Sequence, residues 1–430
     1  MRVVGVLLAG GLLVVVTTVV SAQRGRVFSE PRDHPSIEYS SRPVSDRVSS
    51  LNDQLQRHAG HLAFNRDNGY LAAALAALDV SVDSQVTVFS PTSAEAELIN
   101  ARNPRAIYFN DTVAVGWVRG SAMLELAATD PQQGVIFYSL DQQRRDTPRF
   151  TRTGACLECH QTADTLGVPG LLVYSEFSAP ADQYGYAAGS VTNQRTPLNE
   201  RWGGWYVTGH SPGRHLGNID LPKLRDADKL PFRQLATLAG EFDTRGFLSP
   251  YSDIVALLVL EHQTHMTDLL IRVGWETRVA SNDARMPAPR VTPDFVDVRS
   301  RIRDSVSEVV DYMLFLDEAP LPGRVTGSSG FAERFSSSGP RDSRGRSLRQ
   351  LDLQRRLMRY PCSYLIYSPV FDALPGLAKE AIYERMEQIL AGRGDRSTLA
   401  QLSLTDRQAI TDILRETKPG FPGSLQRPHQ

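Results

Sequence analysis

Val113-Ala-Val-Gly-Trp-Val118, Met123-Leu-Glu-Leu126 and Val135-Ile-Phe-Tyr138 decide how the first half of this chain reads. Each piece is short and rich in β-branched and aromatic residues. Asn, Asp, Gly or Pro closes each one, which is the pattern of strands joined by tight turns. Upstream, Val86-Thr-Val-Phe89 and Ala106-Ile-Tyr-Phe109 repeat that texture; downstream, Leu171-Leu-Val-Tyr174, Tyr184 to Val191 and Trp205-Tyr-Val207 do so again. Helices are expected before the strands, over 46–59 and 70–78, the second from its alanine and leucine content.

From about Leu230 the texture turns helical. Ser249-Pro250 reads as a cap followed by proline at the first helical position, opening a helix that runs to about Thr277. Further helices are expected over 293–317, 347–359, 376–391 and 404–417. Between 318 and 347 the chain is rich in Gly, Ser, Pro and Arg, and a loop of that length is either mobile or functional. The expected class is α+β: a mixed half with short strands over 46–228, then a mainly helical half over 229–430. An extended leader over 23–45, with Pro31, Pro35 and Pro43, precedes both.

Composition excludes little. The 430 residues are 41% hydrophobic and 22% charged, with a net charge of −1, so nothing points to nucleic acid. Met1-Arg2, the apolar run Val3 to Val20 and the small residues around Val20-Ser21-Ala22 read as an export signal cleaved after Ala22. Membrane association is expected only if that segment is kept. A periplasmic or secreted location follows, and thiols there oxidise. Three cysteines are too few for a disulfide scaffold. Cys362, in an apolar run, reads as a buried inert thiol.

The chemistry sits in Gly154-Ala-Cys156-Leu-Glu-Cys159-His160, a single C-x-x-C-H. Cysteines three apart share one side of a helical turn, where both sulfurs reach one porphyrin edge, and the adjacent histidine can turn beneath the iron. Three alternatives compete. A thioredoxin-like pair wants a strand-to-helix junction, but the preceding 147–153 is polar and unlike a buried strand. Zinc wants a second ligand pair, and only the isolated His210 and His215 follow within about fifty residues. A structural disulfide is the third.

The pentapeptide with its export signal resembles the c-type cytochromes, matching at Cys156, Cys159 and His160 over about a dozen residues. Arg201-Trp-Gly-Gly-Trp-Tyr-Val-Thr-Gly209 is similar to stretches of long bacterial secreted haem proteins of undefined activity. The resemblance implies one covalent haem c, with His160 as proximal iron ligand. It also implies electron transfer with a redox partner protein. The alternative is a haem enzyme of peroxidase-like or other oxidoreductase type with an open distal site and a small-molecule substrate. A compact all-α cytochrome fold is not expected, because no methionine lies between Met123 and Met266 to supply the usual downstream ligand.

His262 and Met266, one turn apart on the apolar stripe of the long helix, are candidates for the sixth iron position. His210, His215 and Met123 are others, and Glu261 or His262 is a candidate distal acid or base. Each also reads as an ordinary core residue. Trp202 and Trp205 read as core aromatics or pocket walls. Arg349, Arg355, Arg356 and Arg359 read as a solvated helix face or as partners of haem propionates.

Overall fold

The computed structural model describes residues 27–57, 60–177, 188–219, 232–285 and 298–423. The expected signal segment lies outside the described residues. So do 58–59 of the first expected helix, 184–187 of one expected strand and 293–297 of an expected helix.

Two helices, α1 (Arg47–Gln56) and α2 (Leu71–Ala77), precede the sheet. Asp46 starts α1 by accepting from the Val48 and Ser49 amides at 2.8 and 2.9 Å, which satisfies orphan donors of the first turn. The strands are β1 (Val86–Val88), β2 (Arg105–Phe109), β3 (Val113–Trp117), β4 (Met123–Asp130), β5 (Gly134–Asp141) and β6 (Phe150–Arg152). They form an antiparallel meander, extended past β1 by β9 (Trp205–Tyr206), so seven strands run in the order β6-β5-β4-β3-β2-β1-β9. Between β6 and β9 come the single-turn α3 (Leu157–His160) and the hairpin β7 (Val173–Phe177) with β8 (Ala188–Thr192).

Strand register gives the sheet two unlike faces. Tyr108, Val115, Leu126 and Tyr138 stand side by side on one face, all buried. Their hydroxyls are used: Tyr138 donates to Asp46 Oδ2 and Tyr108 to Gln85 Oε1, each at 2.5 Å. Ile107, Gly116, Glu125 and Ser139 form the neighbouring row on the opposite face, and only Gly116 among them is fully buried.

The second half is built on α4 (Ile254–Asp283), 30 residues long and almost wholly inside the protein. It is long and apolar enough to cross a membrane, yet 89% of its most apolar window is buried in the molecule. Around it lie α5 (Val298–Met313), α6 (Phe331–Ser337), α7 (Pro369–Asp372), α8 (Gly376–Leu390), α9 (Arg396–Gln401) and α10 (Leu404–Thr417). One continuous cluster of buried apolar side chains runs from Val86 and Leu126 through α4 to Ile410 and Leu414. The arrangement is α+β, with the antiparallel sheet in the first half and helices in the second.

Three expectations about elements need correction. Ser249-Pro250 does not start α4; Asp253 caps it, accepting from the Val255 and Ala256 amides at 2.8 and 3.0 Å. The Pro250 carbonyl instead accepts from the Leu238 amide, tying down an irregular stretch where helix was expected. Residues 347–359 are not helical. Asp352 Oδ1 accepts from the Gln354 and Arg355 amides, an Asx turn that competes with helix, and Leu353 is left-handed at φ 57°. The 318–347 stretch carries α6 and is pinned, because the Ser328 and Ser329 amides donate to Asp253 Oδ2 at 2.6 and 2.7 Å.

Candidate functional site

The chain reaches the cysteine motif along β6, the edge strand beyond β5. Phe150 turns into the core while Thr151 is exposed, an alternation too short to stand out among the surrounding Arg and Thr residues. The stretch expected to be unlike a strand therefore contains one. After β6 the chain makes one helical turn: the Cys159 and His160 amides donate to the Cys156 carbonyl at 3.2 and 2.9 Å. Both cysteines thus belong to one turn, with their thiols free.

His160 is held at one nitrogen. Its Nδ1 lies 3.0 Å from the Gly170 carbonyl oxygen, and the Gly170 amide donates back to the His160 carbonyl at 2.9 Å. A carbonyl can only accept, so Nδ1 carries the proton and Nε2 keeps its lone pair. Among the described residues no hydrogen bond involves Nε2. Phe137 packs against the ring, centroids 5.0 Å apart. Burial pushes the imidazole below its ordinary pKa, against the opposing pull of Gly170, which favours the neutral ring that a metal requires.

The motif lies by the half-open face of the sheet. Arg105 on β2 reaches across to Glu125 on β4 at 2.7 Å, its guanidinium lying over Gly116, where a Cβ would come within 2.5 Å of it. Burial first, and the Glu125 charge second, raise the Cys156 thiol, with Arg105 opposing. The Nε of Arg105 is buried without a hydrogen bond among the described residues. Phe137 belongs to this same face, two residues along β5 from Ser139.

This donor set fits a covalent haem. Two thiols on one turn, an adjacent histidine with a fixed tautomer and an uncommitted Nε2, and a buried guanidinium donor without a partner are what such a group uses. Two of the alternatives, zinc and a redox pair, fit less well. Among the described residues no three His, Cys, Asp or Glu side chains converge as a metal cage. A reactive thiol pair needs a lowered thiol pKa, and that of Cys156 is raised.

The other candidates lie elsewhere. His262 is fully buried, with Nδ1 2.5 Å from Gln194 Oε1 and Nε2 2.7 Å from Ser363 Oγ, so both nitrogens are taken. Its ring stacks on Tyr312 and Phe315, on the flank of α4 that meets α5. Met266, four residues on, shares that flank and is fully buried. Asp268 meets the Gly170–Leu171 segment from about 240° round the helix from His262. The structure therefore does not bring His262 or Met266 to His160; they are core residues of the helical half. Glu261 is no distal base either: Arg201 holds it at 2.8 Å and Thr192 donates to it at 2.6 Å.

His215 packs edge-on against Trp202, and His210 bonds Gln234 at 2.7 Å. Trp202 and Trp205 are core aromatics; Trp205 Nε1 donates to the Tyr174 carbonyl. Arg349 grips Asp111 from between Phe335 and Tyr364, and Arg356 pairs with Asp406, so both are structural. Arg355 and Arg359 lie in the same irregular segment rather than on a helix face, Arg359 over the Tyr360 ring. Met123 stands on the half-open face, two residues from Glu125 on β4. Cys362 is buried and burial raises its thiol.

Sequence reasoning missed Gly170, Asp268, Arg105, Glu125 and Phe137. Strand register, a ten-residue return of the chain and one contact from α4 put them beside the motif, and none of these leaves a local signature. Comparison with protein-family models, curated proteins and solved structures returned no match.

Proposed function

We propose that this chain is an exported monohaem c-type cytochrome that transfers electrons. The observation that carries the reading is the one-sided clasp on His160, Nδ1 spent on Gly170 and Nε2 left over, next to two free thiols on the same turn. Cys156 and Cys159 would hold the haem by thioether bonds, and His160 Nε2 would ligate its iron. Haem supplies a one-electron iron couple, tuned by its ligands and their hydrogen bonds.

The chain's own residues do the rest. Gly170 fixes the imidazole tautomer, Phe137 walls one side of the ring, and the unpaired Arg105 Nε offers a donor to an anionic group on the same face. Cys159 is exposed, so the attachment turn opens to solvent where a redox partner protein can approach. The enzyme alternative loses its named distal groups, because Glu261 and His262 are committed to Arg201, Thr192, Gln194 and Ser363. Export is proposed from the sequence alone: Met1-Arg2, the Val3 to Val20 run and the small residues ending at Ala22.

An optical titration tests the reading. The full chain, made in a host with cytochrome maturation machinery, is expected to cycle reversibly between oxidised and reduced c-haem spectra. His160→Ala is expected to abolish the native ligation bands. A chain with no visible chromophore after such expression would refute the reading.

A further inference from the structure

Asp268 is a fully buried carboxyl on α4 that the proposed electron transfer does not itself require. Its Oδ1 accepts from the Leu171 amide at 3.2 Å. That N–H belongs to the same peptide unit as the Gly170 carbonyl, and this carbonyl receives His160 Nδ1–H. One planar amide therefore joins the carboxyl on one side to the proximal imidazole on the other. The approach is close: a Cβ on residue 170 would lie 2.1 Å from Asp268 Oδ1, so glycine is needed there. The neighbouring backbone is braced as well, since the Val135 amide donates to the Pro169 carbonyl.

From this geometry we infer that Asp268 is a positioning residue for the proximal histidine, acting through the Gly170–Leu171 peptide. The inference rests on His160 being the iron ligand. A hydrogen bond accepted from an amide N–H polarises its carbonyl, and a better acceptor at Nδ1–H makes the imidazole a stronger donor to iron. Stronger donation favours the oxidised metal. Burial raises the Asp268 carboxyl well above the carboxylate range, so the working feature is an acceptor oxygen rather than a charge. An amide supplies that oxygen equally well.

The test is the midpoint potential of the haem-loaded full chain. Asp268→Ala removes the acceptor and is expected to raise the potential, while Asp268→Asn keeps the oxygen and is expected to stay at the wild-type value. Gly170→Ala displaces the same oxygen without hollowing the core and is expected to shift in the direction of Asp268→Ala. It serves as the working variant should the alanine at 268 fail to fold. Wild-type potentials in the alanine variants would overturn the positioning role. So would an asparagine variant that shifts as far as Asp268→Ala. A wild-type chain that carries no haem would instead overturn the functional reading, and this inference with it.

Discussion

His160 and His262 are both held by Nδ1 against an oxygen, and burial lowers the basicity of both. They differ at the other nitrogen. His262 spends Nε2 on Ser363 and stacks on two aromatic rings, whereas His160 keeps Nε2 out of any hydrogen bond among the described residues. A histidine bonded at both nitrogens pins a core; one bonded at a single nitrogen can act as a ligand. The sheet side of α4 and its helical side thus hold the same residue type in two different bonding states.

The largest expected effect removes what sets the first region apart. Cys156→Ser with Cys159→Ser is expected to abolish covalent haem while leaving the fold, since neither thiol forms a disulfide; haem staining on a denaturing gel reads it. Staining that survives would place the attachment elsewhere.

The next change strikes the other region. Glu261→Gln leaves Arg201 buried without its counter-charge and is expected to cost about 3–5 kcal/mol in urea unfolding. A cost under about 1 kcal/mol would mean the pair is solvated.

Acid comes third. Burial pushes His262 and His265 down to about 3 and His215 to about 4. Their folded values lie below the unfolded one, so below about pH 6.5 the unfolded chain binds more protons at these three histidines and their contribution to stability falls as pH drops towards 4. Carboxyls raised by burial, Asp268 and Glu318 among them, pull the other way. Each such histidine contributes roughly 1.4 kcal/mol per pH unit in that window. His215→Gln is expected to lose less stability than wild type between pH 7 and 5, and a variant whose pH dependence matches wild type would contradict the buried-neutral assignment.

The smallest effect is a null one by design. His262→Ala is expected to cost about 2–3 kcal/mol of stability, from a cavity and two unpaired partners, yet to leave the haem spectrum unchanged. A switch from low to high spin would return His262 to the iron.

Much of the fold was legible because its signals are local. Runs of β-branched and aromatic residues closed by turn residues marked β2 to β5, and alanine and leucine content marked α2. The Ser249-Pro250 error arose because proline after serine imitates a cap, whereas the true cap, Asp253, is chosen by Ser328 and Ser329 some 75 residues away. The stretch 347–359 had helical composition, but Asp352 bonded its own backbone first. At the site, the pentapeptide was plain in sequence. The sixth-ligand candidates were not decidable there, because helical spacing says which residues share a flank of α4 and not which flank meets the motif. Asp268 and Gly170 carry that information, through one backbone contact.

The most direct measurement is the mass of the peptide bearing Cys156 and Cys159, from chain made in a host that attaches haem. The expected result is that peptide plus one haem, with His160 unmodified. The bare peptide with two free thiols would contradict the central claim.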